Sequence, residues 1–171
     1  MLRKAGSLME NHLQNLLLSL SRAGVRFVVC GGVAAVLHGV ERLTVDLDVS
    51  VEMSGENLER FLSVLAKLGL EPRVPVPAEA LLDPEKIDWM VQEKNALVFT
   101  FIDPENLYRQ LDVFLAPGFA YEILIKNADR ISIDGQEISV LSIPELLAMK
   151  RRVDPPRDKD LLDIRALEDL L

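Results

Sequence analysis

An α+β fold, a mixed β-sheet flanked by helices, is what three features of this 171-residue chain predict. The first is the glycine pair Gly31-Gly32 between two apolar runs, Val25 to Cys30 and Val33 to Gly39, with a third run from Thr44 to Val51. That order reads as strand, turn, helix, strand. The second is Asp134-Gly135 flanked by Ile131-Ser132-Ile133 and Ile138-Ser139-Val140, a strong hairpin signal. The third is a pair of apolar stripes at helical spacing: Leu13, Leu16, Leu17, Leu20, and then Leu58, Phe61, Leu62, Leu65.

Each element follows from local chemistry. Ser7 and Glu10 have capping-box spacing for the first helix, and Gly24 ends it before the Val25 strand. Ser54 is placed to cap the helix carrying Phe61, with Gly69 stopping it. Pro72, Pro75 and Pro77 mark a loop, and Asp83-Pro84 starts a short helix carrying Trp89. Ala96 to Ile102 and Gln110 to Leu115 read as strands. Ser142, Pro144 and Glu145 open a helix running to about Arg152, and Asp158 begins the last one. The expected organisation is one domain over 1–171: an N-terminal helix (1–24), a sheet core (25–141) and C-terminal helices (142–171).

Composition sets the frame. A chain of this length buries roughly 70% of the surface its unfolded form exposes, and 49% hydrophobic residues argue against global disorder. Net charge is −8 with no concentrated basic run, so nucleic acid is not favoured as a partner. Cys30 is the single cysteine, which excludes an intramolecular disulfide; at the end of an apolar strand it reads as a core residue. No secretory signal or membrane-spanning run is visible, so a cytoplasmic location is expected.

The chemistry concentrates around the glycine pair. Glycines at a strand-to-helix turn let backbone N–H groups approach a phosphate at the positive helix end. In Val45-Asp46-Leu47-Asp48-Val49 the period of two sends both carboxylates to one face. Two unit charges ~7 Å apart repel by roughly 2 kcal/mol at an effective dielectric near 20, and a divalent cation would turn that cost into affinity. Asp112, the one acid in the apolar run Leu111 to Leu115, supplies a third carboxylate. Three carboxylates make a hard, all-oxygen site suited to Mg²⁺ or Mn²⁺. A solvated polar face is the alternative reading of Asp46 and Asp48, and a water-facing edge residue that of Asp112.

The Gly-Gly turn, the helix ending in His38-Gly39, and Arg42-Leu43-Thr44-Val45-Asp46-Leu47-Asp48 resemble the nucleotidyltransferase superfamily headed by DNA polymerase beta. Within it the chain is most similar to abortive-infection nucleotidyltransferase toxins and minimal nucleotidyltransferase antitoxins. Leu147-Ala148-Met149-Lys150 and Arg157-Asp158-Lys159-Asp160-Leu161-Leu162-Asp163-Ile164 are similar to the Lys and Asp-x-x-Asp segments of those toxins. The likeness runs from about Val25 to the C-terminus, with its middle poorly matched. Many superfamily members have Gly-Ser where this chain has Gly31-Gly32, so a hydroxyl that contacts the nucleotide phosphates is missing.

The resemblance implies a nucleotidyltransferase-like fold and a metal-dependent transfer of a nucleoside monophosphate from a nucleoside triphosphate (NTP) to an acceptor hydroxyl. Asp46, Asp48 and Asp112 would be catalytic and hold Mg²⁺ or Mn²⁺; Gly31, Gly32, Arg42 and Lys150 would contact the nucleotide; Asp160 and Asp163 would position Lys150 or the acceptor. A surface arginine is the competing reading of Arg42, and a helix-end cation suited to the macrodipole that of Lys150. His38 reads as a helix-end residue. A serine at position 32 is expected to be accommodated. The acceptor, a protein, a small molecule or less readily RNA, is open, and a cognate toxin or antitoxin protein is an expected partner. Two other classes stay open: a catalytically silent partner-binding module of this fold, and a phosphodiesterase or nuclease using the same carboxylates.

Overall fold

Seven strands form one mixed sheet in the order β3-β4-β5-β2-β1-β7-β6, with helices around it. The computed structural model describes the backbone of residues 7–171 and the side chains from residue 12 onward, so the side-chain capping pair expected of Ser7 and Glu10 lies outside what is described. In chain order the elements are α1 (Ser7–Arg22), β1 (Phe27–Cys30), α2 (Gly31–Leu37), β2 (Asp46–Val51), α3 (Gly55–Lys67), β3 (Glu71–Pro72) and α4 (Pro84–Lys94). They continue as β4 (Val98–Asp103), β5 (Asn106–Phe114), α5 (Tyr121–Leu124), β6 (Ala128–Ile133), β7 (Gln136–Leu141), α6 (Ile143–Arg151) and α7 (Asp158–Glu168).

β1 pairs antiparallel with β2 and parallel with β7, and β2 pairs parallel with β5. The strand–turn–helix–strand block therefore occupies the centre of the sheet. Burial along β2 alternates as the sequence requires: Leu47 and Val49 are fully buried while Asp46 and Asp48 are half-buried on the other face. The buried face joins Leu16, Leu20, Phe61 and Leu65 with Leu47, Val49, Leu111 and Val113 in one core. Asn57, itself completely buried, accepts from the Arg26 amide at 2.7 Å and donates to the Arg26 and Glu52 carbonyls at 3.0 and 2.8 Å. That amide locks the start of α3 to the ends of β1 and β2.

Several expectations meet their elements. Ser54 caps α3, accepting from the Asn57 amide, and Asp83 caps α4. The Asp134-Gly135 hairpin forms, both residues at positive φ as a primed turn demands. Other boundaries differ. β5 starts at Asn106 instead of Gln110, because residues 106–108 extend past the core and carry no burial period. Pro72 pairs with Phe101 at the sheet edge, where its missing N–H costs no ladder bond. Ser142 makes no side-chain cap; Glu145 instead accepts from Asn127 at 3.2 Å. Residues 117–127, unassigned from sequence, form short helical turns that pack Phe119 against Phe114 at 5.0 Å. No described helix is long and apolar enough to cross a membrane.

Candidate functional site

The register of the central strands sets Cys30, Asp48, Asp112 and Thr100 side by side on β1, β2, β5 and β4, with Asp46 beside Gln110 one step away. Paired positions point to the same face, so the three aspartates predicted from sequence share one surface of the sheet. Thr100 Oγ1 donates to Asp112 Oδ1 at 2.6 Å, and Gln110 Nε2 donates to both Asp112 oxygens at 3.3 and 3.1 Å. Asp112 is thus held on its β4 side, leaving Asp48 its neighbour on the other. Among the described residues, no three His, Cys, Asp or Glu side chains are already gathered into a metal cage. The aspartates share a face without closing around one point.

Their electrostatics record that crowding. Burial first, then the charges of Asp112 and Asp46, pushes the Asp48 carboxyl up to about 7, against the pull of Lys150 and Lys159. Burial and Asp112 also raise Asp46, opposed by Lys159 and Arg73. Burial, with the Asp48 charge adding to it, raises the Cys30 thiol far above its ordinary range, which keeps it protonated and unreactive.

Gly31 begins α2 directly after β1 at φ +63, a conformation that L side chains rarely adopt. A Cβ there would lie 2.0 Å from Asp48 Oδ2. Glycine is therefore required twice at this position, by backbone angle and by the carboxylate lying against it. At Gly32 a Cβ would come 2.9 Å from Thr44 Oγ1 and 3.4 Å from the Arg42 guanidinium. The space expected to take a serine side chain is occupied by Thr44, a short side chain with little room to give.

The C-terminal helices bring their predicted residues together. Lys150, Asp160 and Asp163 are only 9%, 1% and 3% exposed, burial that demands pairing. Lys150 Nζ lies 2.7 Å from Asp163 Oδ2 and 3.8 Å from Asp160 Oδ1. Arg42, from the segment before β2, donates to the same Asp163 oxygen. Arg157 binds Asp160 with two bonds of 2.6 and 3.1 Å. Burial alone would raise Asp160, but the hydrogen bonds and charge of Arg157, with Lys150, hold it below the usual range. The network links α6, α7 and the Arg42 segment beside the carboxylate row.

The family model for "Nucleotidyl transferase AbiEii toxin, Type IV TA system" matches residues 13–169. The chain belongs to this family. Solved structures agree in fold. The lincosamide antibiotic adenylyltransferase LnuA with lincomycin bound superposes at TM-score 0.65 and 17% identity, over 95% of this chain and 98% of that one. ANT(2'')-Ia in complex with adenylyl-2''-tobramycin gives 0.58 at 13% identity, over 96% and 92%. An antigenic nucleotidyltransferase-like protein from Paracoccidioides brasiliensis gives 0.55 at 17% identity, over 95% and 76%. No curated protein matches by sequence. The nucleotidyltransferase resemblance read from Gly31-Gly32 and Asp46-x-Asp48 is thereby the family itself, and the chain is an AbiEii-family nucleotidyltransferase.

Sequence reasoning missed part of the surroundings. Thr100 and Gln110 orient Asp112, and Arg73, Arg157 and Lys159 act electrostatically on the carboxylate row. The Arg73 amide donates to the Thr100 carbonyl at 2.9 Å, which continues the row to the sheet edge. Helical spacing from Asp160 and Asp163 could have flagged Arg157, but Arg73 lies in a proline-rich loop with no local signal. His38 stands at the C-terminal end of α2, as read from the sequence, with its Nε2 2.8 Å from the Leu141 carbonyl at the end of β7. Two cavities of about 200 and 100 Å³ lie away from the carboxylates, one lined by Arg26, Tyr121 and Arg130, the other by Phe119, Met149 and Arg152. The chemistry of the carboxylate row, three half-buried aspartates on adjacent strands, is what marks it.

Proposed function

We propose that this AbiEii-family chain moves a nucleoside monophosphate from an NTP to an acceptor hydroxyl, releasing pyrophosphate, with Asp46, Asp48 and Asp112 as its catalytic carboxylates. The observation that carries the reading is the in-register row of Asp48 and Asp112 beside Asp46, with Gly31 packed so closely on Asp48 that no side chain fits. This donor set suits Mg²⁺ or Mn²⁺, being all oxygen and crowded enough to raise two of the carboxylates. When bound, such ions neutralise charge on the phosphates and polarise the α-phosphorus toward attack.

The protein's own groups do the rest. Gly31 and Gly32 offer backbone N–H groups without intervening side chains to the β- and γ-phosphates. Arg42 and Lys150, both held by Asp163, place fixed positive charge beside the same turn, where it stabilises the departing pyrophosphate. Asp112, oriented by Thr100 and Gln110, accepts the acceptor's proton as its oxygen attacks in line. Asp160 and Asp163 act through Lys150 and Arg157 as positioning residues.

The acceptor hydroxyl belongs to a protein, a small molecule or, with less electrostatic support at net charge −8, RNA. A small-molecule acceptor and an adenine donor gain support from the antibiotic adenylyltransferases that share the fold. The family description supports a role as the toxin of a cognate toxin–antitoxin pair. Incubation with each labelled NTP, Mg²⁺ or Mn²⁺ and host lysate tests the proposal. A labelled acceptor that needs the metal supports it, and no transfer with any donor favours a silent partner-binding module.

A further inference from the structure

β1 is paired along its whole length with β2 but meets β7 at one registered pair, Val29 with Val140. Toward the start of β1, Phe27 and Ile138 line a cavity of about 200 Å³ instead. Ser21, in the last turn of α1, forms one wall, its Oγ donating to Gln136 Oε1 at 2.9 Å; Tyr121, at the start of α5, forms another. The volume is below the ~300 Å³ at which pockets for drug-sized ligands begin, so only a small metabolite fits.

The lining carries both signs of charge over an apolar floor. The Arg130–Ser139 register of the β6–β7 hairpin puts a guanidinium and a hydroxyl side by side on one face, and Glu137, two residues from Ser139 along β7, shares that face. Arg130 and Glu137 are thus diagonal neighbours at ~7–8 Å, within reach of each other. Yet among the described residues neither takes part in a salt bridge, whereas Arg26 beside them is neutralised by Glu52. Burial and Glu52 raise the Tyr121 phenol against the pull of Arg26 and Arg130, so it stays protonated and able to donate. Phe27 and Ile138 are themselves buried. An anion alone would face Glu137, and a cation alone would face Arg130. A molecule bearing both charges answers each.

We infer that this cavity binds a small zwitterion of the α-amino-acid type, its carboxylate on Arg130 and Ser139, its ammonium on Glu137 and its side chain against Phe27 and Ile138. The site lies apart from the carboxylate row and does not rest on the transfer reading.

Titration calorimetry of the full chain with glycine, L-valine, L-leucine and L-phenylalanine, alongside melting curves, tests this. At least one should bind one-to-one and raise the Tm. For the one that binds best, the analogues lacking the ammonium or the carboxylate (4-methylpentanoate and 3-methylbutylamine for L-leucine) should each bind at least about tenfold more weakly, the loss of hydrogen bonds between charged groups. Arg130→Met and Glu137→Gln, both at exposed positions, should melt like the unsubstituted protein and each lose about tenfold in affinity. An analogue without its ammonium that binds as tightly as the amino acid makes this a plain anion site and overturns the inference. Full-strength binding by either variant overturns it too, as does no binding of any of the four by the unsubstituted protein.

Discussion

Burial and two neighbouring carboxylates act on Asp48 in the same direction, and the consequence is measurable without substrate. Its pKa rises from 3.8 to about 7 on folding, so between those values the folded protein holds a proton the unfolded chain has lost. Stability therefore falls as pH rises from about 4 to about 7 and levels off above. Asp46, also raised, adds with the same sign. Asp160, lowered, stabilises at neutral pH and loses its contribution only in more acidic solution. Asp48→Asn is accordingly expected to stabilise the protein at pH 8 by on the order of 2 kcal/mol, or ~4–8 °C in Tm, with the gap closing toward pH 4. The same change should abolish transfer. Melting curves at pH 8 and 4.5 check the first half, and a wild-type protein that melts higher at pH 8 contradicts it. Asp112→Ala should lower turnover about 10²–10⁴-fold with the fold retained, and steady-state kinetics with a melting curve separates that from a water-facing residue, whose loss changes nothing.

Among the elements, α6 and α7 are held by charge as much as by packing. Asp163 is the shared counter-ion of Lys150 and Arg42, and removing it leaves Lys150 buried with only Asp160 at 3.8 Å. Asp163→Ala should cost about 3 kcal/mol in urea unfolding and weaken NTP binding through Arg42 and Lys150; unchanged unfolding would show the network to be ornamental to the fold. Part of this arrangement was legible in the sequence. Asp160 and Asp163 lie one helical turn apart, which predicts a shared face, and Asp46 and Asp48 alternate with apolar residues, which predicts theirs. Their partners were hidden. Arg42 reaches Asp163 across more than a hundred residues, and Thr100 meets Asp112 through strand register, which local periodicity does not encode. The turns at 117–127 were illegible for another reason: they are a short packed connector with no repeating apolar period.

For the whole molecule, a chain of net charge −8 nevertheless brings Arg42, Arg73, Lys150, Arg157 and Lys159 around its carboxylate row. These cations oppose the charge of the carboxylates they surround, and a local concentration of cations suits a polyanionic donor in an otherwise acidic protein. Mg²⁺ should raise the Tm more at pH 8 than at pH 5.5, because Asp48 must lose its proton to bind a cation; equal shifts at both values would place the cation elsewhere. The central claim is transfer through the three aspartates, and one measurement meets it directly: α-labelled NTPs with Mg²⁺ and host lysate, following the label and the pyrophosphate, for the wild type and Asp48→Asn. The account predicts label on an acceptor with matching pyrophosphate release in the wild type and neither in the variant. Equal transfer by both proteins, or label released only as free nucleoside monophosphate, would contradict it.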